Sequence, residues 1–320
     1  MKISIVICCY NSESRIIDTL SFIENQNYSL SCFEVVIVNN NSEDKTRSII
    51  ESYQTSLNIR VVDENKPGLM NARIKGIKEA NNEIIIFVDD DNWLDPNYLS
   101  EVALCFKNNK EVTFCSGVTR LPDGYKVDSF FDDYFKCFAV GSKFNSKRIL
   151  QGGETLWGAG LSVKRDVLLK FINYDFKCLG RSGGKQLAGD DTELCLLLRL
   201  NKYEGLFNPE LKLQHSIQYS RFTKDNLIKT LFGFGAVYPF LINYIVILEE
   251  NNMKNKILKK IIKYKLSFKL YILYNLLKAY FNKDKYKISA LKGTYSTLND
   301  SSLWLESVKL NRFLTNYDRD

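Results

Sequence analysis

The chain reads as an α/β protein with a mostly parallel sheet flanked by helices, followed by a helical C-terminal region. Three features predict this. Short β-branched runs recur through the first part of the chain. Segments with helical spacing alternate with them, and that alternation makes a parallel sheet with helices on both faces. Beyond about residue 223 the strand-like runs stop and a lysine-rich helical pattern takes over.

Residues 3–8 (ISIVIC) form the first expected strand, and 13–26 a helix with Ile16, Ile17, Leu20 and Ile23 in helical spacing. Residues 34–38 (EVVIV) are the second strand; the turn Asn39-Asn40-Asn41-Ser42 leads to a helix over about 44–53, with Ser42 as a possible N-cap. A third strand (59–63), a Lys66-Pro67-Gly68 turn, a helix over 69–80 and a fourth strand (84–88) complete the series. Parallel strands covered on both faces read as unbroken apolar runs, as these do. The middle of the chain is mixed. It holds a strand-like run at 112–117, aromatic residues at 130–138, and glycines at 152–153 and 158–160. The glycine-rich stretch 179–190 reads as a mobile loop before a helix at about 191–201. The expected domains are residues 1–222 and a helical region, 223–320.

A chain of 320 residues, 45% hydrophobic and 25% charged, can bury a sizeable core and does not read as disordered. Eight cysteines show no C-x-x-C pair, and several sit in apolar runs. They are expected to be reduced core residues in a cytosolic compartment. The N-terminus opens directly into a strand pattern, so secretion is not expected.

Residues 251–292 hold twelve lysines against one acid, Asp284. Subtracting that +11 from the total of +7 leaves −4 for the remainder. A basic segment on a mildly acidic body points to a local anionic partner, not to general nucleic-acid binding. Interleaved Leu, Ile, Tyr and Phe suit an amphipathic helix on an anionic membrane surface, or packing on protein, including a second subunit. Residues 230–248 carry no charge and approach the ~20 residues needed to cross a bilayer. Gly233, Gly235, Pro239 and Asn243 weaken that reading.

The most informative stretch is 84–96, IIIFVDDDNWLDP, an apolar run ending in Asp89, Asp90 and Asp91. Carboxylates clustered at the carboxyl end of a strand suit a hard cation, which commonly also holds phosphates. Neither G-x-G-x-x-G nor a P-loop follows the first strand; the sequence there is Cys9-Tyr10-Asn11-Ser12-Glu13. Phosphate is therefore expected on a cation at the aspartates, aided by basic side chains.

The segments IVICCYNSE, EVVIVNNNSEDKT, ENKPGLMNARIKGIKEANNEIIIFVDDDNWLDP and GDDTELCLLLR occur in that order. Together they resemble the family-2 glycosyltransferases of GT-A fold, over about residues 1–222. The resemblance implies inverting transfer of a sugar from a nucleotide diphosphate donor, a UDP-sugar first, with Mn2+ or Mg2+. It makes Asp91 a metal ligand and sets Asp89 at the ribose and the metal's water shell; Asp90 is a candidate for the nucleoside. Tyr10, Asn11 and Arg73 fall at nucleotide-sugar positions. Asn39 stands where the family usually has Asp, which leaves the base open. Asp190 and Asp191 resemble a Glu-Asp pair, with Asp191 the expected general base. The resemblance makes His215, the single histidine, a candidate metal ligand, because related enzymes place a metal-ligating His after such a segment, and imidazole suits Mn2+ better than Ca2+. Arg181, Lys185 and Arg221 are candidates for neutralising the diphosphate, and Trp157 for stacking on the sugar. The acceptor is expected to be a glycan or lipid-linked hydroxyl in surface polysaccharide synthesis, with the enzyme peripheral on the inner face of the cytoplasmic membrane. The rivals are a nucleotidyltransferase on a similar sheet and a non-catalytic membrane-associated scaffold that binds nucleotide-sugar.

Overall fold

The computed structural model describes residues 1–181, 188–249 and 253–317. Two compact units emerge. One comprises 1–150, 156–175 and 203–219; the other comprises 151–155, 176–202 and 220–320.

The first unit is built on one sheet. β1 (Ile3–Cys9), β2 (Phe33–Asn39), β3 (Ile59–Asp63) and β4 (Ile84–Asp89) pair in parallel, in the order β3-β2-β1-β4. All seven residues of β2 are buried, as a strand covered on both faces should be. The helices between them are α1 (Ile16–Glu24), α2 (Thr46–Ser52) and α3 (Leu69–Glu79). On α3, a Cβ at Gly76 would stand 2.3 Å from a Val6 methyl, so glycine lets this helix lie close to β1.

Beyond β4 the sheet changes direction. β5 (Asn92–Leu94), α4 (Tyr98–Asn108), β6 (Val112–Arg120), β7 (Arg148–Ile149), β8 (Ser162–Lys164), α5 (Arg165–Leu169) and β9 (Glu204–His215) complete the unit. β8 is antiparallel to both β4 and β6, β6 is parallel to β9, and β5 and β7 are antiparallel to β9. The aromatic run at 130–138 forms a 3-10 turn, Ser129–Phe138.

The second unit is helical: α6 (Asp190–Leu200), α7 (Lys224–Leu248), α8 (Met253–Ile262), α9 (Lys265–Phe281), α10 (Lys285–Asn299) and α11 (Ser301–Tyr317). Among the described residues α7 alone is long and apolar enough to cross a membrane, and 56% of its most apolar window is buried within the fold. It packs most closely on α10. A Cβ at Gly235 would lie 1.7 Å from the Ala290 carbonyl oxygen, and one at Gly293 2.0 Å from that of Phe232. Pro239 has no N–H, so the Gly235 carbonyl loses its helical donor. Thr294 Oγ1 donates to that carbonyl instead, at 2.9 Å.

At the amino end of the parallel strands, buried Glu34 accepts from Ser4 Oγ (2.6 Å), the Asn81 N–H (2.7 Å) and Arg60 Nη2 (3.4 Å). Burial would raise its pKa, but these donors outweigh it and hold Glu34 below the ordinary glutamate value. Its stabilisation is therefore complete above the unfolded value of ~4.3 and is lost as pH falls through the folded value. Glu34→Gln should cost about 1–3 kcal/mol at neutral pH. In thermal unfolding the gap from wild type should close below pH ~4; a gap that is constant with pH would contradict this account.

Candidate functional site

The carboxyl ends of β1, β2, β3 and β4 carry the polar turns that sequence reasoning singled out. β4 ends at Asp89, and Asp90 and Asp91 form the turn into β5. Asn92, fully buried, organises that turn. Its Oδ1 accepts the Asp89 N–H and its Nδ2 donates to Asp91 Oδ1, both at 3.2 Å.

The three carboxylates have different surroundings. Asp90 is buried, and its Oδ2 accepts from Ser12 Oγ and from Arg15 Nη2, the latter at 2.7 Å. Thr19 Oγ1 donates to the Asp90 carbonyl at 2.9 Å. Burial pushes the Asp90 carboxyl up despite Arg15, and the neighbouring Asp91 charge adds to the rise. Asp89 is the most open of the three, with Arg73 Nη2 at 4.0 Å from its Oδ1. Arg73 is buried on α3, with its guanidinium 5.3 Å from the centre of the Phe87 ring.

Asp91 faces His215. The antiparallel pairing of β5 with β9 sets Asn92 opposite His215, and the Ser216 N–H donates to the Asp91 carbonyl at 2.8 Å. His215 Nε2 then lies 3.3 Å from Asp91 Oδ1. His215 is buried, and its Nδ1 has no hydrogen-bond partner among the described residues. A carboxylate and an imidazole turned toward one another can together ligate a divalent metal ion. No group of three His, Cys, Asp or Glu side chains gathers as a metal site among the described residues. Asp91 and His215 are the pair that could hold such an ion here, with the other coordination positions left to water and phosphate oxygens.

Around this turn, exposed Tyr10 and left-handed Asn11 (φ +49°) follow β1. Asn11 Oδ1 accepts the Glu43 N–H at 2.9 Å, joining the loops after β1 and β2. Asn39 Nδ2 donates to Asp63 Oδ1 at 2.9 Å, and its Oδ1 accepts the Ser42 N–H at 3.3 Å. A carboxylate can only accept, so Asp63 fixes which way the Asn39 amide points. Trp157 is buried, with the Lys143 ammonium 5.7 Å from the centre of its ring.

In the helical unit, Asp190 and Asp191 open α6, where the helix dipole favours acids. Gly189 precedes them at φ +92°, a left-handed cap that suits glycine. Asp190 is buried; Asp191 is half-buried, and its Oδ1 accepts the Thr192 N–H at 2.7 Å. Glu193, two residues on, is fully buried; it accepts the N–H groups of Lys177 (2.9 Å) and Cys178 (2.6 Å) and the Tyr244 hydroxyl (2.8 Å). Burial raises its pKa against those hydrogen bonds. Arg181 is exposed and Arg221 half-buried in this unit, while Lys185 lies outside the described residues.

The geometry therefore gathers Asp89, Asp90, Asp91 and His215 at one turn of the first unit, with Arg73 beside Asp89. Ser12, Arg15, Asn92 and Asp63 were not anticipated. Each acts through a partner distant in sequence or through a side-chain amide in a turn, which no local pattern marks.

Residues 4–151 match the family model described as Glycosyl transferase family 2. Over those residues the chain resembles the glycosyl transferase family 2 proteins. The chain is similar to the glucosyl-dolichyl phosphate glucuronosyltransferase of Haloferax volcanii, 24% identical over 243 residues, covering 73% of this chain and 75% of that protein. It also resembles the poly(ribitol-phosphate) beta-N-acetylglucosaminyltransferase TarS of Staphylococcus aureus. The identity there is 34% over 105 residues, which is 32% of this chain but only 18% of that protein. The crystal structure of TarS 1–349 with UDP-GlcNAc matches with a TM-score of 0.54 at 16% identity, covering 94% of this chain and 91% of that one. The mannosyltransferase PcManGT of Pyrobaculum calidifontis, solved with GDP-Man and Mn2+, matches with a TM-score of 0.58 at 16% identity, covering 99% and 85%. The fold is accordingly that of the GT-A glycosyltransferases, with additional C-terminal helices.

The Arg15–Asp90 pair can be tested through stability. Arg15→Gln leaves a buried carboxylate without its cation and should cost about 2–4 kcal/mol. Adding Asp90→Asn should restore part of the loss in thermal unfolding. A double variant no more stable than Arg15→Gln alone would contradict the coupling.

Proposed function

We propose that the protein is an inverting glycosyltransferase that moves a sugar from a UDP-sugar to a hydroxyl of a glycan or lipid-linked acceptor. Residues 1–222 form its catalytic module in this reading. One observation carries it: Asp91 and His215 converge at 3.3 Å within a chain that resembles this family. These two residues would hold the cation. Bound there, Mn2+ or Mg2+ supplies positive charge for the leaving diphosphate.

The chain's own groups account for the remaining work. Asn39 has its Nδ2 committed to Asp63, and its Oδ1 is held only loosely by Ser42. That oxygen is free to accept a base N–H, such as uracil N3–H. Exposed Tyr10 and half-buried Asp89 are assigned to the nucleoside and diphosphate, with Arg73 behind Asp89. Asn11 shapes the loop beside them, and Asp90 holds the turn in place through Ser12 and Arg15. Asp191 is the assigned general base: it takes the acceptor proton as the acceptor oxygen bonds to the anomeric carbon and the bond to the diphosphate breaks. Asp190 flanks it at the start of α6. Arg181, Lys185 and Arg221 are assigned to the diphosphate, and Trp157 to the sugar. In this reading the work is done at the inner face of the cytoplasmic membrane, in surface polysaccharide synthesis.

Asp191→Asn should lower transfer by about 10²–10⁴-fold while donor binding is kept. The readouts are nucleoside diphosphate release from a panel of UDP- and GDP-sugars and calorimetric donor affinity. Full turnover by the variant would remove Asp191 from its role. EDTA should weaken UDP binding, and Mn2+ should restore it; affinity unaltered by EDTA would remove the cation. A product that is itself a sugar nucleotide would favour a nucleotidyltransferase instead.

A further inference from the structure

We infer that the outward face of α9 docks on an anionic lipid surface. This deepens the membrane placement proposed above and rests on it. One face of the helix is already covered: Phe268, Ile272, Leu276 and Ala279 are buried within the helical unit. The opposite face is also apolar. Leu266, Leu270, Leu273, Tyr274, Leu277 and Phe281 are all exposed, Leu277 by 71% and Phe281 by 89%. At 100° per residue these six fall within one stripe, which runs ~22 Å along the helix. Single exposed leucines are ordinary, whereas a continuous stripe marks a contact surface.

The charges around the stripe select its partner. No Asp or Glu occurs from Met253 to Lys283. Lys269 and Lys278 lie on either border of the stripe, exposed Lys263 precedes it, and exposed Lys283, Lys285 and Lys287 follow it. Two copies meeting face to face would bring these lysine borders together, and lysine is depleted from protein interfaces. An uncharged bilayer would take the leucines and leave the lysines without counter-charge. An anionic bilayer satisfies both: acyl chains receive the leucines, headgroup phosphates the ammonium groups, and Tyr274 suits the boundary between them. In this arrangement α9 lies along the surface and does not cross it.

The test is sedimentation of the full-length protein with phosphatidylcholine vesicles, with and without phosphatidylglycerol. Wild type should pellet with the anionic vesicles, and less so as salt is raised. Leu270→Glu/Leu277→Glu should weaken this by at least about tenfold. Lys269→Gln/Lys278→Gln should reduce the preference for phosphatidylglycerol. Unaltered melting temperature and vesicle-free UDP-sugar turnover would show that these variants fold and keep their chemistry. The inference is overturned if wild type stays in solution with anionic vesicles, or if the leucine variant pellets as well as wild type. It is also overturned if light scattering finds a dimer that the leucine variant dissolves while vesicles are ignored. In each case normal turnover would leave the transferase reading standing, while absent turnover with intact vesicle binding would sink that reading alone.

Discussion

The pairing of a three-residue strand, β5, with the end of β9 decides what the aspartate turn can do. It sets Asn92 opposite His215, ties the Ser216 N–H to the Asp91 carbonyl, and aims an imidazole at a carboxylate from over a hundred residues away. Without that ladder Asp89–Asp91 would be an acidic loop at the end of a parallel strand. With it, one carboxylate acquires a nitrogen partner in a buried setting. The antiparallel half of the sheet thereby supplies the nitrogen donor to a turn that the parallel half presents.

The arrangement also shows how a fold tolerates three successive carboxylates. Unpaired charge in a buried site costs several kcal/mol. Asp90, the middle residue, is held by Ser12 and Arg15 and serves as an internal fastener between the turns after β1 and β4. Asp89 remains partly open beside Arg73. Asp91 sits against His215 and Asn92. Three neighbours in sequence thus occupy three electrostatic settings. The middle carboxylate is engaged by the loop, while the outer two lie beside Arg73 and His215.

The parallel half of the sheet was legible from residues alone. Runs such as EVVIV are buried on both faces, and their apolar continuity records it. The acidic turn was legible for the same reason, since it interrupts such a run. β5, β7 and β8 were not legible: at three, two and three residues they carry no periodicity, and distant pairing defines them. Arg15, Asn92 and Glu193 escaped for a related reason, as their roles depend on partners that no local pattern names. The uncharged run within 230–248 proved to be part of α7, whose glycines and Pro239 meet α10 at close range. The stretch 254–292 read as amphipathic, and the structure resolves it into a buried face and an exposed stripe on α9.

The central claim is that Asp91 and His215 together seat a divalent cation. Crystals grown with MnCl2 and UDP, with diffraction recorded at the manganese absorption edge, test it without any assay. The account predicts an anomalous peak within about 2.0–2.4 Å of an Asp91 oxygen and a His215 ring nitrogen, comparable to metal–ligand lengths in oxygen and nitrogen sites, and its disappearance in His215→Ala. Bound UDP with manganese seated elsewhere, or the same peak persisting in the alanine variant, would contradict it.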